Sequence, residues 1–168
     1  MPNRPAGLVS LVAVDEAILE QLVHVAITDA APDEVTPPLG DGWTQDRVAW
    51  LRAYHRDRRS GLAESDEETA AIEMEGRVVG ATRLHRLTSP TDDMECGIWL
   101  ARSARGSGVG AAAFRLLRAR AVAVGAKRLV VRTTAGNFPA LAILRYEGAL
   151  VRMGDDGAVY AELLLDAP

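Results

Sequence analysis

The stretch that most constrains this chain runs from Glu95 to Thr134. A short apolar run, Ile98-Trp99-Leu100, leads into Arg105-Gly106-Ser107-Gly108-Val109-Gly110, then an amphipathic helical pattern, then a second β-prone run, Leu129-Val130-Val131. A strand–helix–strand crossover of this length makes its two strands parallel. Glycines at 106, 108 and 110 leave main-chain amides uncovered by side chains. At a helix start those amides and the helix dipole both favour a bound anion. Charge-assisted hydrogen bonds contribute roughly 1.5–3 kcal/mol each, so several converging on a pyrophosphate make a binding site. Arg105 can add a guanidinium fork to a phosphate oxygen.

Other readings of this turn exist. It can be a tight strand-to-helix connection with no ligand. Gly106-x-Gly108-x-x-Ala111 also satisfies the loose dinucleotide fingerprint, which would make the chain an NADP-type oxidoreductase. Against that, no Asp or Glu ends the following strand, where Arg132 and Thr133 stand. Too little chain follows Thr134 for the remaining crossovers of a doubly wound sheet. A nucleotide-hydrolase loop is excluded because no Gly-Lys-Ser/Thr follows the glycines.

The rest of the chain organises around this unit. Residues 8–14 are β-prone. Asp15 stands where an N-cap would, and Ile18, Leu19, Leu22, Val25 and Ala26 recur at helical spacing, predicting a helix over 15–30. Residues 32–43 are rich in Pro, Gly and Asp and predict a loop. Thr44 caps a second helix to about Arg59, with Val48, Leu51, Ala53 and Tyr54 as its apolar positions and a basic end that suits the dipole. The run Ala63-Glu64-Ser65-Asp66-Glu67-Glu68 reads as a solvated acidic connector. Residues 69–74 and 78–87 read as an antiparallel hairpin about Glu75-Gly76-Arg77. A loop over 88–93 precedes a strand over 94–100. The central helix, 108–124, places Val109, Ala112, Ala113, Leu116, Leu117, Ala121 and Val124 on its core face, leaving Arg115 and Arg118 toward solvent. A helix over 137–146 and strands over 150–153 and 158–165 complete the order β-α-α-β-β-β-α-β-α-β-β.

With 168 residues, 48% hydrophobic and 25% charged, the chain is expected to form one domain over residues 1–168 with a sizeable core. A net charge of −4 argues against a nucleic-acid partner. A single cysteine, Cys96, excludes an internal disulfide framework and suits a reducing compartment. No apolar run reaches the ~20 residues of a membrane span, and no secretory leader pattern opens the sequence, so no membrane partner and a cytoplasmic location are expected.

Three features in order resemble the GNAT superfamily of acyl-CoA-dependent N-acyltransferases. Arg105-Gly-Ser-Gly-Val-Gly110 is similar to its Arg/Gln-x-x-Gly-x-Gly/Ala motif. Met94–Leu100 resembles its central strand, and Asn137, Ala140 and Gly148 stand in register with its Asn-x-x-Ala…Gly segment. The resemblance implies an α/β (α+β) fold: a mixed, mostly antiparallel sheet flanked by helices, whose splayed parallel central strands form an acyl-CoA cleft. It implies acetyl-CoA as co-substrate. Arg105, Gly106, Ser107, Gly108, Val109 and Gly110 would hold its pyrophosphate. Ile98, Trp99 and Leu100 would hold its pantetheine arm, and Asn137 and Ala140 would lie nearby. A main-chain amide of the central strand would polarise the thioester carbonyl. Asn137 can also serve simply as a helix cap.

The reaction so implied is acetyl transfer to an amine by direct attack in a ternary complex. A primary ammonium with pKa near 10.4 loses its proton at pH 7 at a cost of about 4–5 kcal/mol, so a carboxylate is needed to receive it, directly or through water. Glu95, near the start of the central strand, matches the position where some members carry a glutamate base; an edge-of-strand ion pair is its other reading. The family's usual tyrosine acid falls at Leu144, and Tyr146 lies about 200° away on a helix. That departure leaves the acid unassigned and motivates an alternative, a non-catalytic CoA-binding or ligand-sensing domain. Cys96 reads as a buried hydrophobe. His24, His55 and His85 have no metal-ligand partner at a recognisable spacing, so no metal is expected. Family architecture puts the acceptor near residues 29–54. There Asp33, Glu34, Asp41 and Asp46 can attract a cationic small-molecule or peptide amine, and Trp43 and Trp50 can form an apolar wall. The sheet edge near the C-terminus is a candidate for pairing two chains into a homodimer.

Overall fold

Of the four helices longer than one turn among the described residues, three start on side-chain caps, and the exception matters for the site. The computed structural model describes residues 8–88 and 92–165. In chain order these form β1 (Val9–Val12), α1 (Glu16–Asp29), α2 (Pro32–Val35), α3 (Gln45–Arg56), β2 (Glu67–Met74), β3 (Arg77–Arg86), β4 (Asp93–Leu100), α4 (Val109–Ala123), β5 (Arg128–Thr134), α5 (Phe138–Tyr146), β6 (Leu150–Met153) and β7 (Ala158–Leu164). Short 3-10 turns stand at Gly61–Ala63 and Arg102–Ala104. Asp15 Oδ1 accepts from the Ile18 amide at 2.8 Å and Thr44 Oγ1 from the Arg47 amide at 3.2 Å, opening α1 and α3. The exception is α4, whose N-cap is Gly108 with φ +84° and no side-chain cap.

Three expectations need correction. The Pro-rich segment predicted as loop contains one helical turn, α2. Pro32 sits at its start, where a missing N–H costs no hydrogen bond, and Glu34 Oε2 accepts from the Ala31 amide at 3.2 Å. The acidic connector is shorter than predicted, because Glu67 and Glu68 already belong to β2. On α4 the buried face is Val109, Ala113, Phe114, Leu117 and Ala121, while Leu116 is exposed. The 109–113–117–121 stripe sets the phase, which leaves 116 on the flank. Residues 89–91 of the predicted 88–93 loop lie outside the described residues.

The seven strands order as β1-β2-β3-β4-β5-β7-β6. All neighbours are antiparallel except β4 and β5, which are parallel. This is the mixed, mostly antiparallel sheet expected. Because alternate strand residues point to opposite faces, Ala71 and Ile72 join different cores. Ala71, Val78 and Ala81 pack with Leu19, Leu22, Val23 and Ala26 of α1 and Leu51 of α3. Ile72 and Val79 pack with Val109 and Ala113 of α4. Leu84, Met94, Cys96 and Leu129 meet Phe114 and Leu117 of α4 and Leu144 of α5. Among the described residues no helix is long and apolar enough to cross a membrane.

At Gly80 the chain needs a residue without a side chain: a Cβ there would lie 2.1 Å from the Trp99 carbonyl oxygen. Gly80 pairs with Leu100, so its bareness sets how closely β3 carries the far end of β4.

Candidate active site

The two parallel strands part company halfway along. β4 pairs with β5 only through Asp93–Arg128, Met94–Leu129 and Glu95–Val130. Beyond Glu95, β4 continues to Leu100 held by β3 alone, and β5 continues to Thr134 held by β7. The β5-facing main-chain groups of β4 after Glu95 therefore have no strand partner. Such a gap can take an extended ligand that pairs with the backbone.

The glycine-rich turn follows the end of this gap. Gly106 and Gly108 have φ of +75° and +84°, a region that side-chain-bearing residues rarely enter. The amides of Val109, Gly110 and Ala111 open α4 ahead of the first intrahelical donor, Ala112, which reaches the Gly108 carbonyl at 3.1 Å. A Cβ on Gly106 would meet nothing within 4 Å, so the surface there is open. Uncapped amides, an αL glycine and open space fit an anionic group such as a pyrophosphate. Ser107 does not point its hydroxyl outward; it donates to the Ala104 carbonyl at 2.9 Å. Nor does Arg105 turn its fork to the turn. Its Nε and Nη2 donate to the Leu100 carbonyl at 3.1 and 2.9 Å, and Nη2 reaches Glu34 Oε2 at 2.8 Å. Asn137 caps α5, accepting from the Ala140 amide at 3.4 Å and donating to Thr133 Oγ1 at 3.0 Å.

On the α1/α3 side of the sheet lies a cavity of about 470 Å3. Its walls come from α2, from Trp50 and Tyr54 of α3, from Ala81 to Arg83 of β3 and from Gly97, Ile98 and Trp99 of β4. Trp50 and Tyr54 stack at 4.7 Å between ring centroids. One polar cluster closes this cavity. Glu67, on β2, accepts from Tyr54 Oη at 2.6 Å and from Arg83 Nε at 2.6 Å, and Arg58 Nε lies 3.0 Å from its other oxygen. Arg83 Nη1 reaches Glu95 Oε1 at 2.5 Å. These cationic and O–H donors hold the Glu67 carboxyl below its ordinary pKa against the opposing pull of burial. Burial and the Glu67 hydrogen bond push the Tyr54 phenol well above its ordinary value. Burial lowers His55 from 6.5 to about 4, so it is neutral at pH 7.

A model of the Acetyltransferase (GNAT) family matches residues 35–148, more than half of the chain. The chain belongs to the GNAT acetyltransferase family. Solved GNAT-fold structures align over nearly its whole length. A RimJ from Mycobacterium smegmatis, in complex with CoA-disulfide, is 21% identical with a TM-score of 0.78, covering 95% of this chain and 83% of that one. RimL, a ribosomal L7/L12 alpha-N-protein acetyltransferase in complex with coenzyme A, is 15% identical with a TM-score of 0.76, covering 98% of each. The putative acetyltransferase yncA from Salmonella typhimurium, with acetyl-CoA, is 17% identical with a TM-score of 0.69, covering 95% of each. At these identities the likeness establishes the fold. No curated protein matches the chain in sequence.

Within this GNAT chain the residues nominated from sequence fall into two groups. Ile98–Leu100 lie on β4 beyond its last pair with β5, Arg105–Gly110 run from the turn after β4 into the first turn of α4, and Asn137–Ala140 open α5. Glu95 sits at the last parallel pair, where the gap opens, and is half-buried against Arg83. Leu144 is 3% exposed and packed in the core, while Tyr146 is 80% exposed, with the Arg115 guanidinium 5.7 Å from its ring centroid. Arg115 and Arg118 are both held by Glu147, at 2.7 and 3.4 Å. Burial pushes the Cys96 thiol up to about 12, and it is no nucleophile at neutral pH.

Of the acceptor residues nominated from sequence, Asp33, Glu34 and Trp50 line the cavity, the first two in ion pairs. Asp33 is bound by Arg47 at 2.7 Å, Glu34 by Arg105, and Trp43 donates to the Ala30 carbonyl at 3.1 Å away from the cavity. Asp41 and Asp46 are exposed and do not line it. Of the two tryptophans, only Trp50 is a wall residue. Sequence reasoning missed Arg47, His55, Arg58, Glu67 and Arg83. Two of these carried a signal: Arg47 and His55 flank Leu51 at four-residue spacing, so they share its buried face.

Proposed function

We propose that the protein transfers an acetyl group from acetyl-CoA to an amine within a ternary complex. The observation that carries this reading is the parting of β4 from β5 beyond Glu95, leading straight to an uncapped, glycine-rich helix start. It is supported by family membership and by neighbours solved with CoA or acetyl-CoA bound. In this reading the amides of residues 106–111 hold the pyrophosphate. The free edge of Ile98, Trp99 and Leu100 holds the pantetheine arm, and Asn137 and Ala140 border it. Arg105 then serves chiefly to tie the turn to Leu100 and Glu34.

The amine comes from the cavity, which meets the same strand at Gly97, Ile98 and Trp99. Its nitrogen attacks the thioester carbonyl carbon, a β4 amide stabilises the developing oxyanion, and the C–S bond breaks to release CoA. Glu95 receives the ammonium proton through water. Leu144 supplies no acid, so the thiolate takes its proton from solvent, which also receives the second proton lost by the attacking nitrogen.

Thiol release from acetyl-CoA across an amine panel tests this directly, and an acetylated product with equimolar thiol is expected. The buried Leu144 favours a second reading, a CoA-binding domain without catalysis. Clear thermal stabilisation by CoA with no turnover of any amine would establish that reading instead.

A further inference from the structure

The polar end of the cavity offers hydrogen-bond donors that nothing in the protein uses. Arg58 donates Nη1 to the Tyr54 carbonyl at 3.0 Å, while its buried Nε lies 3.0 Å from Glu67 Oε2 as an ion pair but makes no hydrogen bond. Arg83 spends Nε on Glu67 and Nη1 on Glu95. The Nη2 groups of both have no hydrogen-bond partner among the described residues. His55 adds a third group. It is 2% exposed, lines the cavity, and uses only Nδ1, at 2.9 Å from Thr69 Oγ1. The Thr69 hydroxyl, itself buried, has no other partner among the described residues to receive its proton. It therefore donates to Nδ1, which puts the imidazole proton on Nε2 as a further donor. Nε2 is not among the fully enclosed atoms that lack a partner.

Two guanidinium Nη2 groups and an imidazole N–H thus belong to residues that line one cavity of about 470 Å3, and none of the three has a hydrogen-bond partner among the described residues. Donors left open to a cavity in this way are available to a ligand that carries acceptors. Glu67 and Glu95 balance the two arginine charges, so this end selects by directed, charge-assisted bonds rather than by a large net field. Of the acidic groups on the α2 side of the cavity, Asp33 and Glu34 are already paired with Arg47 and Arg105.

We infer that the acceptor is a small amine that also carries a carboxylate, held by Arg58, Arg83 and His55 while its nitrogen faces β4. The stacked Trp50 and Tyr54 rings line the space between. This rests on the acyltransferase reading for the role of the bound molecule, though not for its binding.

The test uses the intact protein with α- and ω-amino acids and the matching carboxamides, in two readouts. In thiol release, the best amino acid should exceed its carboxamide in kcat/KM by roughly 10- to 100-fold, the range that one or two charge-assisted bonds give. Arg58→Met should collapse that ratio, and Arg58→Lys should restore part of it. In calorimetry on the CoA-loaded protein, the amino acid should bind and the carboxamide should not. Selective binding without turnover would uphold the carboxylate site and overturn the acyltransferase reading. Turnover with no preference for the carboxylate, or a preference for phosphoethanolamine over every amino acid, would overturn the carboxylate site alone. The wild-type substrate pairs decide the matter even if the Arg58 variants fail to fold.

Discussion

The two halves of the site are made of different material. The half along β4, α4 and α5 is built from main chain: a parted strand, two glycines at positive φ and a helix start without a cap. The half between α2, α3 and the β2–β4 strands is built from side chains that are far apart in sequence: His55, Arg58, Glu67, Arg83 and Glu95. A main-chain site depends on where glycines fall, and a few consecutive residues specify it. A side-chain site depends on which residues the fold brings together, and no short stretch specifies it.

Mutations should respect this division. The largest effect is expected for Glu95→Gln, which keeps the Arg83 contact but removes the proton acceptor. The rate at saturating substrates should fall by about 100-fold or more, as for loss of a general base, while the dissociation constant for CoA changes little. An unchanged rate and pH profile would remove Glu95 from the role. Gly108→Val does the reverse. A β-branched residue at φ +84° strains the turn and covers the amides beside it. CoA binding by calorimetry should weaken by about 100-fold, the loss of one to two charge-assisted bonds, with the far-UV spectrum preserved. Undiminished binding would mean that the turn is only a connection.

A third prediction concerns the side-chain half alone. His55 has a folded pKa of about 4, below its ordinary 6.5. Between those values the unfolded chain binds more protons, so stability falls as pH drops through that window and is complete above it. The expected loss is roughly 3 kcal/mol at the acid end, seen as a declining denaturation midpoint between pH 6.5 and 4. His55→Gln should flatten that part of the curve. An equally steep curve in the variant would assign the acid sensitivity to other groups. The smallest effect is expected for Tyr146→Ala. Its ring is 80% exposed on the opposite side of α5 from Leu144, so stability should move by about 0.5 kcal/mol or less and turnover should not change. A marked loss of kcat would show that Tyr146 supplies the missing proton after all.

The same division explains what could be read before the structure. Strand and helix order followed from periodicity and caps; Asp15, Thr44 and Asn137 all cap the helices they were expected to open. The glycine-rich turn, the central strand and the Asn137 segment were legible because each is a local pattern. Glu67 was not, because its run of acidic neighbours reads as solvated, whereas strand alternation turns Glu67 inward against Arg58 and Arg83. Arg105 was legible only in part, for a related reason. Its position beside the turn suggested a phosphate ligand, and only the fold reveals Glu34 and the Leu100 carbonyl within its reach.

The most direct test of the account is the structure of the protein bound to acetyl-CoA. Pyrophosphate oxygens are expected within hydrogen-bond distance of the amides of residues 106–111. The thioester is expected beside β4 beyond Glu95, opening onto the cavity that holds Arg58 and Arg83. A pyrophosphate bound away from that turn, or a thioester facing away from the cavity, would contradict it.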